Sequence, residues 1–143
     1  MHVNIVNAPI KLLCICTEMF TKAFEHCKRK LGPDHPETLM VIFKHGLCLE
    51  NKKRFIEAEE KLMFVYTGRL KVLGPIDVET NNAAFAIGEF NRKLTRFHKA
   101  AEYYRIAYNG YLECKGKKDP VTAKTKIYLD EMINSQSSVC SLS

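Results

Sequence analysis

Leu31-Gly32-Pro33-Asp34-His35-Pro36-Glu37-Thr38 decides the fold, because the chain writes it three times. Leu73-Gly74-Pro75-Ile76-Asp77-Val78-Glu79-Thr80 repeats it at an offset of 42, and a worn copy, Lys115-Gly116-Lys117-Lys118-Asp119-Pro120-Val121-Thr122, begins at the same offset again. A glycine after a long amphipathic run takes the left-handed conformation that ends a helix, and a proline just beyond it cannot continue one. Pro36 and Pro120 suit the first position of a new helix, with Thr38, Thr80 and Thr122 just inside or beside that start. Each copy therefore reads as stop, turn and restart, and self-similarity at this period is the mark of a repeat array.

Working outward, Leu12, Leu13, Ile15, Phe20, Ala23, Phe24 and Leu31 recur at helical spacing from Ile10 to Leu31. This is expected to be the second helix of an incomplete first repeat, with residues 1–9 a truncated or irregular segment where a preceding helix should end. Leu39, Ile42, Phe43, Gly46, Leu47 and Leu49 predict a helix over 36–51, and Phe55, Ala58, Leu62, Val65, Tyr66 and Leu70 one over 54–72. Moving each landmark on by 42 carries Phe43 to Phe85, Gly46 to Gly88, Arg54 to Arg96, Phe55 to Phe97, Ala58 to Ala100 and Tyr66 to Tyr108. A last helix from Pro120 to about Asn134 closes the array, and the serine-rich 135–143 is expected to be a disordered tail. Small residues at Gly46, Gly88, Ala58 and Ala100 let paired backbones approach, and such a pair buries its apolar face only by stacking on its neighbours.

Composition and charge exclude several classes. No apolar run approaches the roughly 18 residues that span a bilayer, and the first residues do not form a secretory signal, so the default compartment is the cytosol or nucleus. Cys14, Cys16, Cys27, Cys48, Cys114 and Cys140 show no CxxC spacing and read as thiols, not as a metal site or disulfides. Acids and histidines fall at helix ends and turns, without a nucleophile or acid/base constellation, so no catalytic residue, metal or cofactor is expected. His35 belongs to the turn, and His45 is expected to pack. Basic clusters (Lys28-Arg29-Lys30, Lys52-Lys53-Arg54, Arg92-Lys93 with Arg96, and Lys115 with Lys117-Lys118) follow the preference of cations for helix C-termini. Nucleic-acid binding would rest on the net charge of +6 alone.

At Gly46, Ala58 and the Leu-Gly-Pro-Asp-His-Pro-Glu-Thr turn, the chain resembles a tetratricopeptide repeat array over roughly residues 10–134, in the 42-residue class typified by kinesin light chains. Gly46 and Gly88, Ala58 and Ala100, and Leu62 and Tyr104 match that signature. The resemblance implies an all-α fold of about six helices: a right-handed superhelix of antiparallel pairs whose concave face, built from the first helix of each pair, binds peptides. It departs where kinesin light chains carry an asparagine pair, since Phe43-Lys44 and Phe85-Ala86 stand there. Phe43, Phe85 and Ile127 likewise replace the clamp that chaperone-binding relatives use for a carboxyl-terminal tail. Asn91 stands where a large apolar residue is usual, which implies local loosening or packing taken over by Phe90. A second resemblance is to the C-terminal helical domain of SET and MYND domain lysine methyltransferases, carried by Asp34-His35-Pro36 and Gly116-Lys117-Lys118-Asp119-Pro120. It would make this a regulatory domain or fragment without catalytic elements.

The family geometry places Met40, Phe43, Lys44, Leu47 and Asn51 on the concave face, with Asn82, Phe85, Glu89, Arg92 and Lys93 from the next repeat and Lys124, Ile127, Tyr128 and Glu131 from the last. The expected partner is a protein segment with an apolar anchor between Phe43 and Phe85 and acidic flanks near Lys44, Arg92 and Lys93. The incomplete N-terminal repeat is expected to expose Leu12, Leu13, Phe20 and Phe24 and so to favour self-association. Cys140-Ser141-Leu142-Ser143 fits a prenylation box, the one feature that would bring the chain to a membrane.

Overall fold

The three turn copies close as their chemistry requires. Gly32, Gly74 and Gly116 have φ of +96°, +87° and +87°, a region in which any other residue would be strained. Three residues beyond each glycine a side chain caps the next helix: His35 Nδ1 accepts from the Glu37 amide at 3.2 Å, Asp77 Oδ1 from Glu79 at 2.8 Å, and Asp119 Oδ1 from Val121 at 2.9 Å. Thr38, Thr80 and Thr122 are all buried, and the Thr38 hydroxyl donates to the Gly32 carbonyl at 2.8 Å.

The computed structural model describes residues 17–141, with side chains described through residue 138. These form six helices and no strand: α1 Thr17–Leu31, α2 Pro36–Asn51, α3 Phe55–Leu73, α4 Val78–Lys93, α5 Phe97–Lys115 and α6 Pro120–Ser141. Leu12, Leu13, Ile15, Cys14, Cys16 and the segment 1–9 lie outside the described residues. No described helix is long and apolar enough to cross a membrane. The chain divides into two units, Met1–Val72 and Leu73–Ser143.

In the first unit, α2 and α3 run antiparallel. A methyl at Gly46 would meet Leu62 at 3.2 Å, and one at Gly68 would meet Leu39 at 2.9 Å, so advancing along one helix means retreating along the other. Ala58, at 0% exposure, completes the close approach. α1 packs Phe20 against Val41 and Cys48, with Ala23, Phe24 and Cys27 beside them. Phe20 is 1% exposed, which corrects the expectation that it lies open at the end of the array: α2 covers it. Its ring stacks on His45 at 5.0 Å and 6°, over a cavity of about 220 Å³ bounded also by Glu25 and Lys61.

His45 packs, and it packs as a neutral ring. Burial, then Lys61 and Arg54, lower its pKa from 6.5, and its Nε2 is buried without a hydrogen-bond partner. Below the ordinary value the unfolded chain binds a proton that the folded one refuses, so stability is full above about pH 6.5 and falls as pH drops toward the folded-state pKa. Melting curves between pH 7.5 and 5 should show His45→Phe losing less stability on acidification than the wild type; parallel losses would remove His45 as the cause.

The second unit repeats the pairing with more polar side chains. α4 meets α5 through Gly88 against Tyr104 and Gly110 against Asn81, the repeat equivalents of Gly46 against Leu62 and Gly68 against Leu39. Leu129 and Met132 of α6 join Ala100, Ala101 and Tyr104 in one core. On the exposed part of α6, Lys126 and Asp130 pair at 2.7 Å, and Asp130 occupies the repeat position of Gly46 and Gly88. Asn91 is fully buried, its amide donating to the Ile87 carbonyl at 2.8 Å, and Phe90 is buried beside it, so the position is packed and not loosened.

The tail expected from residue 135 is instead helical to Ser141. Ser135, Ser137 and Ser138 turn their hydroxyls back onto the carbonyls four residues earlier, and Gln136 donates to the Phe97 carbonyl at 3.1 Å, which ties the extension to α5. Within each pair the turn carries one strained residue, Lys53 at φ +61° and Thr95 at φ +58°. A β-branched residue is poorly suited to that region, so Thr95→Asn should stabilise by about 0.5–1 kcal/mol, read as a higher urea midpoint at unchanged slope.

Candidate functional site

The second unit brings together five of the residues that the groove reading selects, on two helices, and adds one from a third. α4 supplies Phe85, Glu89 and Arg92 at helical steps of four and three residues, and α6 supplies Lys124 and Tyr128 four apart. α5 supplies Tyr104, whose ring fits where Gly88 has no side chain. Its centroid lies 5.5 Å from Phe85 and 5.8 Å from Tyr128, and Phe85 and Tyr128 are 6.0 Å apart, so the three rings form a closed aromatic triangle.

Two cations lie on that triangle. The Arg92 guanidinium sits 4.8 Å from the Tyr128 centroid, and the Lys124 ammonium sits 5.5 Å from Tyr128 and 5.7 Å from Phe85. One carboxylate joins them: Glu89 Oε2 accepts from Arg92 at 2.9 Å, and its Oε1 accepts from the Tyr104 hydroxyl. Burial, reinforced by the bond to Glu89, raises the Tyr104 pKa far above the ordinary tyrosine range, so Tyr104 is a neutral donor at every physiological pH. Burial alone would lower the pKa of Arg92, but Glu89 more than offsets it and the guanidinium stays charged. Arg92 Nε is buried without a hydrogen-bond partner. Two cations against one anion leave a local excess of one positive charge over an apolar floor.

The remaining candidates are placed differently. Asn82 accepts from the Tyr111 hydroxyl, nearer the start of α4, and Lys93 is exposed at its end. Ile127 is 57% exposed and Glu131 is exposed on α6. In the first unit, Met40 and Phe43 are half-buried under Arg69, a 2%-exposed arginine whose guanidinium lies 4.8 Å over the Phe43 ring. Lys44 and Leu47 are half-buried and Asn51 is exposed. Phe43 therefore has a packing role in its own unit. Arg54 bonds Glu57 at 2.8 and 2.7 Å, so its charge is already answered locally. The Cys140 side chain lies outside the described residues, and Cys27, Cys48 and Cys114 are thiols in no disulfide.

Sequence reasoning read Tyr104 only as a packing position of the repeat signature and passed over Arg69. Both lie on second helices of their pairs, outside the face that the resemblance singles out, and both reach the first helix because the facing residue is small or flexible. Among the described residues, no group of three or more His, Cys, Asp and Glu side chains could hold a metal ion. What the arrangement offers is a cluster of three rings tilted 29–59° to one another, with Tyr104 buried beneath Phe85 and Tyr128, edged with cations. Searched against models of known protein families the chain matches none, and no curated protein is significantly similar to it.

Proposed function

We propose that this protein is a non-catalytic adaptor of the tetratricopeptide type, working in the cytosol or nucleus, which binds an acidic peptide segment on the α4–α6 face of its second unit. The observation that supports this most is the pair of cations laid on the Phe85–Tyr104–Tyr128 triangle. Aromatic and arginine side chains concentrated in one patch are what peptide-binding hot spots are made of, and the excess positive charge selects an acidic flank. Ile127, next in sequence to Tyr128 and 57% exposed, is a further apolar side chain open to solvent on α6.

Fluorescence anisotropy with an end-blocked peptide, one phenylalanine followed by three aspartates, tests the reading. Wild type should bind it, bind more weakly as salt rises, and prefer it to the same peptide with lysines. Lys124→Glu should weaken binding by about tenfold or more without changing the melting temperature by more than about 3 °C, and Tyr128→Ala should weaken it as much at temperatures well below its own, lowered, melting point. Equal affinity for the aspartate and lysine peptides, or tighter binding of a single-stranded oligonucleotide than of either, would remove it.

A further inference from the structure

Glu89 lies inside the proposed site, and its position is a puzzle for a surface that takes acidic ligands. In the preceding repeat the equivalent residue is Leu47, so the fold does not demand a carboxylate there. Nor is Glu89 a loose surface side chain. Its two oxygens are held from opposite sides, by the buried Tyr104 hydroxyl and by Arg92, and its side chain is only 24% exposed. Lys124, by contrast, lies over the rings with no carboxylate bonded to it among the described residues.

The geometry points to Glu89 as an internal stand-in for a second acidic group of the ligand, a specificity residue that occupies Arg92 and leaves Lys124 to receive a single carboxylate. This rests on the peptide-binding reading above. The Tyr104 hydroxyl is the positioning group: it fixes one carboxylate oxygen so that the other stays on Arg92. A peptide with one acidic residue beside its anchor meets Lys124 unopposed. A peptide with several must either leave the others in solvent or bring them against Glu89, and like charges brought together there repel. Glu89 thus sets how many acidic residues the site rewards, which differs from whether it binds acidic peptides at all.

The test uses the full chain and two end-blocked fluorescent peptides, one with a phenylalanine followed by a single aspartate and one with a phenylalanine followed by three. Glu89→Gln keeps an acceptor for the Tyr104 hydroxyl, removes the charge and replaces the oxygen that accepts from Arg92 with an amide donor, so Arg92 is released. It should tighten the three-aspartate peptide by about tenfold and the one-aspartate peptide by no more than about threefold. Glu113→Gln, the same charge change at an exposed position on α5, should tighten both by less than about twofold. The double variant Glu89→Gln, Arg92→Gln restores the wild-type charge sum and should return the three-aspartate peptide to near its original affinity, which provides a second reading if the single variant folds poorly. Equal tightening of both peptides, or tightening matched by Glu113→Gln, would overturn the role of Glu89 while leaving the site intact. Failure of wild type and variants alike to bind either peptide would overturn the site itself, and this inference with it.

Discussion

Gly110→Ala is expected to destabilise the second unit by about 2–3 kcal/mol, lowering the melting temperature by roughly 5–10 °C, although alanine is the better helix former. A methyl at Gly110 would lie 2.1 Å from the Asn81 amide, and that amide has nowhere to go. Asn81 is fully buried, and its Nδ2 donates to the Pro75 and Asp77 carbonyls at 2.9 Å each, which ties the start of α4 to the turn before it. Moving it breaks both bonds and leaves a buried amide donor unmet, at about 1–3 kcal/mol. The equivalent change in the first unit is the control. At Gly68 a methyl meets the far end of Leu39 at 2.9 Å, and an aliphatic tip can rotate away where a doubly bonded amide cannot. Gly68→Ala should therefore cost under about 1 kcal/mol. Asn81→Leu should rescue part of the Gly110→Ala loss, since leucine is what the sister repeat carries there. Equal losses for the two alanine variants in urea unfolding would show that the close approach is not what fixes glycine at 110.

That contrast also shows how far the sequence can be read. The helix boundaries were legible because Gly32, Gly74 and Gly116 have to be glycine for a backbone reason, and the reason recurs at one fixed interval along the chain. Gly46 and Gly88 were legible for a packing reason. Gly68 and Gly110 obey the same period and the same reason, yet they sit in the second helix of each pair, away from the turn that drew attention. The caps at His35, Asp77 and Asp119 share a position, but the first is a histidine where the other two are aspartates, so identity matching does not pick out all three. Of the site, the α4 and α6 side chains follow from which face the resemblance selects. Tyr104 does not, because its ring belongs to the core and only its hydroxyl reaches Glu89. The final helical turns were hidden because serine is a weak helix former in isolation; here Ser135, Ser137 and Ser138 bond back along the helix while Gln136 docks on α5.

Gly88→Ala should damage stability and binding together, and that coupling separates a site built on a core residue from one laid over a core. A methyl at Gly88 would stand 2.8 and 2.9 Å from two edge atoms of the Tyr104 ring. The ring cannot slide outward without losing its places against Phe85 and Tyr128, nor tilt without pulling its hydroxyl from Glu89. We expect a loss of about 1.5–3 kcal/mol in stability and, well below the melting temperature, a loss of about tenfold in affinity for the three-aspartate peptide. Tyr104→Leu installs the sister repeat's residue, Leu62, which a methyl at Gly46 would meet at a milder 3.2 Å. Added to Gly88→Ala, it should recover much of the stability and none of the affinity, because leucine relieves the clash but supplies neither the third ring nor the donor that holds Glu89. Recovery of binding along with stability would mean that Phe85, Tyr128 and the two cations suffice, and that Tyr104 belongs to the core alone.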